Sequence, residues 1–561
     1  MEGESEYSFW HLLVRDVAYG QIPRGERARR HRSAAAWIER KGGERVEGLA
    51  EVLAHHYLQA LELAEAAGDT EQAEELAAPA RRFLALAGER ALGLDTAQAE
   101  ARLARALELT PSEDLERPDL LVRWADAAFQ GGRPREAAEA LEEALASLRP
   151  RGETEAAARA LQLRSRVAFR LGEGRQVALA AEAVDLLEPQ RSGPVLVAAH
   201  AQLANAQMVA GAYAEAIVAA ERAVALAETL GLPEPARALG YRGYARALLG
   251  DADGLAEMER ALALLVEQGA GRDAAILQNN LAIARYPIDG PARSLADFEE
   301  GIAFCQQRGL GESVALLEAS CPGLLAELGR PDEALERAGR LAAVAQASGN
   351  THTLSEVRAV ELATRLTRGE QGTRAEADWL VETAQAMAAA DISVLALATA
   401  AASHAAEAPE RTCALLAELE QVAGTRESPY YARQLATMLR TALAVGDPEL
   451  AKRLAYGLEP RYPLGEHALC AARAQLAEHA GDHADAASLY AEAAARWQEF
   501  GNVPERAHAL LGEGRCLLAL GPPAAEEPLR EARKLFASMG YTPALAETER
   551  LLEQTPVAPA S

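Results

Sequence analysis

Two histidine pairs, His479 with His483 and His55 with His56, have the residue type from which a metal site could be built. Histidines four apart on one helix would present two imidazoles to one cation. Gly481 and Asp482 stand between the first two and break that helix. The adjacent His55 and His56 are expected to point to different faces, so no metal is expected at either pair. Nucleotide chemistry would need a GxxxxGK[ST] loop, whose backbone amides cradle phosphates. "GEGRQVALA" at 172–180 and "GEGRCLLAL" at 512–520 have the glycines without the lysine. No GxSxG occurs. Cys305, Cys321, Cys413, Cys470 and Cys516 are scattered singly, which fits buried thiols in a reducing compartment. Paired carboxylates are abundant, but in a chain with 25% charged residues they carry no catalytic signal.

The most concentrated charge lies near the start. From Arg15 to Arg32 six arginines face only Asp16 and Glu26, a local net of +4 in a chain of -26. Arg24, Arg27, Arg29, Arg30 and Arg32 could pair with acidic neighbours in the chain. Equally, they could form a docking surface for an acidic or phosphate-bearing partner. Trp10, Leu13, Val14 and Val17 make one face of a preceding helix, which Ile22-Pro23 ends.

The elements that must position these groups are helices. Aromatic residues are only 5% of the chain, and alanine abounds. A glycine turn followed by an Ala-containing amphipathic helix keeps returning, as in "GGRPREAAEALEEAL" from Gly131 and "GAYAEAIVAAERAVAL" from Gly211. Gly132, Gly172, Gly211, Gly250, Gly290, Gly329 and Gly369 are 39 or 40 residues apart; Gly446 to Gly481 is 35. Small residues fall at fixed offsets from the turn, such as Ala204, Ala216, Ala220 and Ala223 around Gly211. Two helices approach closely only where such side chains meet. This pattern resembles the tetratricopeptide repeat, and it predicts an all-α, right-handed α-solenoid of about twelve helix pairs. "EEGIAFCQQRGL" at 299–310 puts Phe298, Ile302 and Cys305 on one stripe, expected to be an ordinary buried helix.

A second resemblance is more specific. "EYSFWHLLVRDVAYGQIPRGERARRHRSAAAWIE" at 6–39 and "LAEVLAHHYLQALELA" at 49–64 look like the junction between ATPase and repeat array in bacterial multidomain class III adenylate/guanylate cyclases of the STAND (AAA-like) ATPase type. The resemblance implies a helical remnant of an ATPase-associated domain at 1–48, a tetratricopeptide array at 49–550 and a disordered tail at 551–561. It also implies that the chain is the C-terminal part of a longer signalling protein, with Met1 an internal or misassigned start or the gene split. "WHLLVRDVA" resembles the "MHDLLRDLA" pattern, which makes His11 a nucleotide-sensing candidate, idle without the nucleotide domain.

The expected function is a non-catalytic protein-interaction or sensor scaffold that regulates a cyclase/ATPase system, with no cofactor. A protein or peptide would occupy the concave groove, lined by the first helix of each pair and by Arg123, Trp124, Gln202, Asn205, Tyr241, Tyr244, Asn279 and Asn280. The ATPase/cyclase half, in cis or in trans, would be the other partner. The acidic surface argues against nucleic acid and anionic membrane. No basic-then-apolar leader and no 18-residue apolar run is present, so a cytoplasmic protein is expected. The alternatives are the C-terminal part of an adenylate/guanylate cyclase that itself binds ATP, and a transcription-regulator-type array.

Overall fold

The computed structural model describes residues 12–92, 95–190, 193–370, 373–387, 389–422 and 424–554. Among them are 27 α-helices, three short 3-10 segments and no strand. The fold is an all-α solenoid. None of these helices is long and apolar enough to cross a membrane. By packing, the chain divides into one unit of residues 1–131 with 139–151 and a second of 132–138 with 152–561.

The first unit holds α1 (Leu12–Gly20), α2 (Arg24–Gly42), α3 (Ala50–Ala67), α4 (Thr70–Ala91), α5 (Thr96–Glu108) and α6 (Arg117–Gln130). Pro23 precedes α2, where its fixed φ suits a helix start. The Asp69 side chain accepts from the Gln72 amide and caps α4 at 3.1 Å. The expected boundary at residue 49 falls at the 3-10 segment Gly43–Leu49, and the helices on either side share one core. Ala28 and Ala35 of α2 let it approach Leu53, Tyr57 and Leu61 of α3, backed by Leu76 and Phe83 of α4. The Tyr57 and Phe83 rings stack with centroids 5.5 Å apart. Burying each such leucine or phenylalanine contributes about 1.5–3 kcal/mol. α1 differs: Leu13, Val14 and Val17 are exposed by 68, 59 and 62%.

In the second unit the expected turn glycines Gly172, Gly211, Gly250, Gly290, Gly329, Gly369, Gly446 and Gly481 all have positive φ, the conformation that glycine reaches at little steric cost. Gly290 makes its turn with no loop: φ 79° and ψ 179° bend the chain inside Gly271–Gln307, between Pro287 and Pro291. The short 35-residue period has a local cause, an eight-residue second helix at Pro448–Ala455. Phe298, Ile302 and Cys305 are buried, as an ordinary second helix requires.

The turns also touch residues far along the chain. Gly172 meets Met387, Gly211 meets Gly424, Gly250 meets Arg461 and Gly290 meets Phe500. These partners lie 210–215 residues later, and Gly329 meets Val503 and Gly369 meets Pro543 at 174, a span of between four and six periods. The array therefore winds once in that span, and successive windings are in direct contact. A Cβ on Gly250 would come within 3.0 Å of Arg461 Cδ, and one on Gly290 would collide with the Phe500 carbonyl. The Arg461 guanidinium donates to the Leu248 carbonyl at 3.0 Å and the Tyr462 hydroxyl to that of Ala247 at 2.5 Å. Phe169 packs on His352 at 4.5 Å. Glycine thus serves two needs here, a left-handed turn and a close passage between windings.

Candidate functional site

The first helices of the pairs line half-open space inside the second unit. Two cavities, of about 200 and 460 Å³, share Arg440, Glu505 and His508 on their walls. Their polar groups come mostly from first helices: Glu327 on Gly311–Glu327, Arg433 and Arg440 on Pro429–Ala444, Glu478 on Pro463–His479, and Glu505, His508 and Arg515 on Val503–Leu520. Arg433 and Arg440 are seven residues apart, two helical turns, and so share one face.

Three arginine–carboxylate pairs organise the interior. Arg433 is bound to Glu327, 106 residues away, and both side chains are 11% exposed. The Tyr286 hydroxyl donates to the other Glu327 oxygen at 2.9 Å. Arg440 reaches both oxygens of Glu505, at 2.7 and 2.5 Å, and the Thr437 hydroxyl accepts from the same guanidinium at 2.9 Å. Arg515 binds both oxygens of Glu478, at 2.7 and 3.0 Å, and reaches Glu547 at 3.1 Å. Tyr490 donates to Glu478 at 2.6 Å. Such fork-to-fork pairs hold geometry more firmly than a point charge could.

Burial governs the titration of these groups. It raises the Glu505 carboxyl, but the Arg440 guanidinium more than offsets this, so Glu505 is held below the ordinary value. Glu478 is lowered in the same way by Arg515. Burial outweighs Arg433 at Glu327, which is raised. Deeper in the interior, burial pushes Glu356 up to about 7 against the opposing hydrogen bond that it accepts from Ser320 at 3.0 Å. Burial also pushes Asp391 up to about 6. His508 is pushed down to about 3 by burial and then by Arg440, so it stays neutral.

The residues expected to line a groove fall in different places. Arg123 and Trp124 belong to the first unit, where Arg123 pairs with Glu89 at 3.0 Å and Asp119 at 2.7 Å. Trp124 packs against Leu103 and Ala127. In the second unit Gln202, Tyr241, Asn279 and Asn280 are buried and join the packing between helices. Gln202 donates to Ser165 at 3.3 Å and accepts from Arg237 at 3.1 Å. The Asn279 amide donates to Asn280 at 3.2 Å. Asn205 and Tyr244 are half-buried. The first helices do line the interior, but the charged set lies between Glu327 and Glu547, where the sequence reading placed no site. Its signal is present: long charged side chains at helical spacing on first helices otherwise rich in Ala and Leu.

Among the arginines of α2, Arg29 and Arg30 both pair with Glu26, at 2.7 and 3.0 Å, and Arg32 with Glu75 at 2.8 Å. Arg24 is exposed, and Arg27 lies over the Tyr19 ring at 5.0 Å. Neither has a carboxylate partner among the described residues. His11, Trp10 and residues 555–561 lie outside the described residues, and of the tail expected at 551–561, Leu551 and Leu552 instead end the helix Thr542–Leu552.

The turn at Gly481 separates His479 from His483, as expected. His55 and His56 need a correction. They are adjacent, but His31 of α2 comes up against both, so their rings do not diverge into unrelated surroundings. The glycines of "GEGR" are structural: Gly512 abuts the Tyr490 ring and Gly514 abuts Leu529. All five cysteines are free, and burial pushes Cys321 and Cys516 up to about 12, far from thiolate reactivity.

No family model matches this chain, and no curated protein matches it. Solved tetratricopeptide-repeat structures align with it at low identity. A Rap protein complexed with competence and sporulation factor aligns at 12% identity over 60% of this chain and 98% of that one, with a TM-score of 0.41. The Cut9–Hcn1 hetero-tetramer of the APC/C aligns at 12% over 97% and 98%, with a TM-score of 0.40. The STAND protein PH0952 from Pyrococcus horikoshii, which has a tetratricopeptide repeat sensor, aligns at 12% over 80% and 68%, with a TM-score of 0.36. At these scores the likeness carries nothing about ligand or activity.

Proposed function

We propose that the chain is a non-catalytic sensor scaffold that takes a short polypeptide segment into the interior of the second unit and passes its occupancy to a cyclase/ATPase half. The observation that supports this reading is the half-open polar cavity itself. A cavity of about 460 Å³ is lined by Arg440, Arg515, Glu478 and Glu505, all already paired. Charges held in pairs can exchange partners. An incoming basic side chain would take Glu478 or Glu547 from Arg515, and an incoming carboxylate would take Arg440 from Glu505. Each exchange frees one internal partner, so it is favourable where that partner keeps a second counter-charge, as Arg515 does in Glu547, or where the segment supplies one. The segment would contact several successive first helices at once, and its affinity would differ between tighter and looser coils. A ligand shifts such an equilibrium by that difference in affinity.

The output surface in this reading is the α2 arginine face, with Arg24 and Arg27 available to an acidic partner surface. The cyclase/ATPase half, in cis or in trans, is that partner. The experiment that tests the ligand arm is selection from a displayed library of short random peptides against the full chain, with counter-selection on Arg515→Glu. Peptides enriched on the parent and lost on the variant support the reading. Enrichment indifferent to Arg515, or none at all, overturns it.

A further inference from the structure

α2 and α3 carry a feature that the scaffold reading does not use. His31 lies one turn from both Ala28 and Ala35, on the face of α2 that packs against α3. His56 shares the inward stripe of α3 with Leu53, Tyr57 and Ala60, and His55 sits at its exposed edge. Ring centroids are 5.1 Å apart for His31 and His56, 5.3 Å for His55 and His56, and 6.0 Å for His31 and His55. One ring nitrogen from each of the three lies within 4.8 Å of the other two. Nδ1 of His31 stands 2.8 Å from Nδ1 of His56, and the Tyr19 hydroxyl of α1 is 2.8 Å from Nε2 of His31.

We propose that His31, His55 and His56 form a binding site for one zinc-class divalent cation, with water completing the coordination on the exposed side of His55. Three neutral imidazoles with no thiolate or carboxylate among them suit Zn²⁺, Ni²⁺ or Cu²⁺, and not the oxygen-seeking Ca²⁺ or Mg²⁺. Tetrahedral zinc with bonds near 2.0–2.1 Å separates its ligand nitrogens by about 3.3 Å. Closing the present arrangement to that spacing takes side-chain adjustment of about an ångström. The Tyr19 hydroxyl beside Nε2 can accept from Nε2–H, and in that tautomer His31 offers the Nδ1 lone pair to the cation, the outer support common to metal-bound histidines. The cation would clip α2 to α3 and, through Tyr19, hold α1 with its exposed Leu13, Val14 and Val17.

The test uses the full chain without an affinity tag, stripped of metal and titrated with Zn²⁺ against a chromophoric chelator, and with Co²⁺ for its visible ligand-field spectrum. One equivalent of Zn²⁺ should bind, and Co²⁺ should give a four-coordinate band. His55→Ala, an exposed position that leaves the core untouched, should weaken binding at least tenfold and remove that band, as should His31→Gln and His56→Gln. The double variant His479→Ala/His483→Ala should bind as the parent does. Tyr19→Phe should shift the Co²⁺ band and weaken binding a few-fold; an unchanged band removes Tyr19 from the site. The proposal is overturned if less than one equivalent binds, if His55→Ala retains the parent affinity, or if the His479/His483 variant abolishes binding.

Discussion

Arg30 and Arg433 are both helical arginines bound to a glutamate, yet they stand in opposite physical situations. Arg30 pairs with Glu26 one turn away, on a surface where its side chain is 65% exposed. Arg433 pairs with Glu327 from a helix 106 residues earlier, with both side chains 11% exposed. The first pair is local, hydrated and screened by salt; removing it leaves two solvated ions. The second closes the coil of the second unit on itself, and removing one partner leaves an uncompensated charge in the interior. The surface of α2 can therefore vary its charge at little expense to folding. The interior cannot.

The largest effect should follow from Arg433→Ala. Breaking a buried pair by deleting one partner destabilises by about 3–5 kcal/mol, and the Glu327 carboxyl, already raised by burial, would be pushed further up without Arg433. A repeat array need not unfold in one step. The loss should therefore be read both as a denaturation midpoint and as faster amide exchange in Gly311–Glu327 and Pro429–Ala444. The double variant Glu327→Gln/Arg433→Met should recover part of it. A single variant that unfolds like the parent would show that the pair is exchangeable and that the coil is held elsewhere.

Most of the fold is readable from the glycines. Their 39–40-residue spacing requires helix pairs, and the small residues at fixed offsets require that the pairs approach closely. The coil of the second unit is not readable in the same way, because it depends on contacts 174–215 residues apart, such as Gly211 with Gly424 and Gly290 with Phe500. A periodic sequence states each neighbour contact many times and each contact between windings once. The same limit explains the site. Gln202, Asn279 and Asn280 were reasonable groove residues on an open coil, but here they are buried between helices. Arg440 and Glu505 are 65 positions apart and meet across first helices two pairs apart, a contact that no single repeat states. His31 and His55 are 24 positions apart on different helices, and nothing in either local pattern brings them together.

An intermediate effect separates the two duties of glycine. Gly290 and Gly481 both have positive φ, 79° and 83°, and the ψ of 179° at Gly290 adds a backbone strain that only glycine escapes. A Cβ at Gly481 meets open space, whereas one at Gly290 collides with the Phe500 carbonyl of the next winding. Gly481→Ala should therefore cost only the left-handed strain, about 1 kcal/mol. Gly290→Ala should add its own strain and a packing penalty of about 1–3 kcal/mol and weaken protection in His483–Phe500. Equal losses at the two positions, measured as denaturation midpoints, would mean that the windings separate easily in solution.

The smallest effect on folding is expected at α2, and it should be the largest on association. In Arg24→Glu/Arg30→Glu, Arg24 has no carboxylate partner among the described residues, and Arg30 loses only its contact with Glu26. The double change reverses four units of charge on a local surface of net +4. The melting midpoint should not move beyond error, because exposed pairs contribute about 0–1 kcal/mol. If the partner is the proposed cyclase/ATPase half, affinity for it supplied in trans should fall, and the gap between variant and parent should narrow as salt rises and the Debye length drops from about 30 Å at 0.01 M to about 8 Å at 0.15 M. A constant affinity would reduce the cluster to solvated charge. A sharp drop in melting temperature would instead tie the arginines to the packing of α2 on α3, and the contrast with Arg433 would then be one of degree.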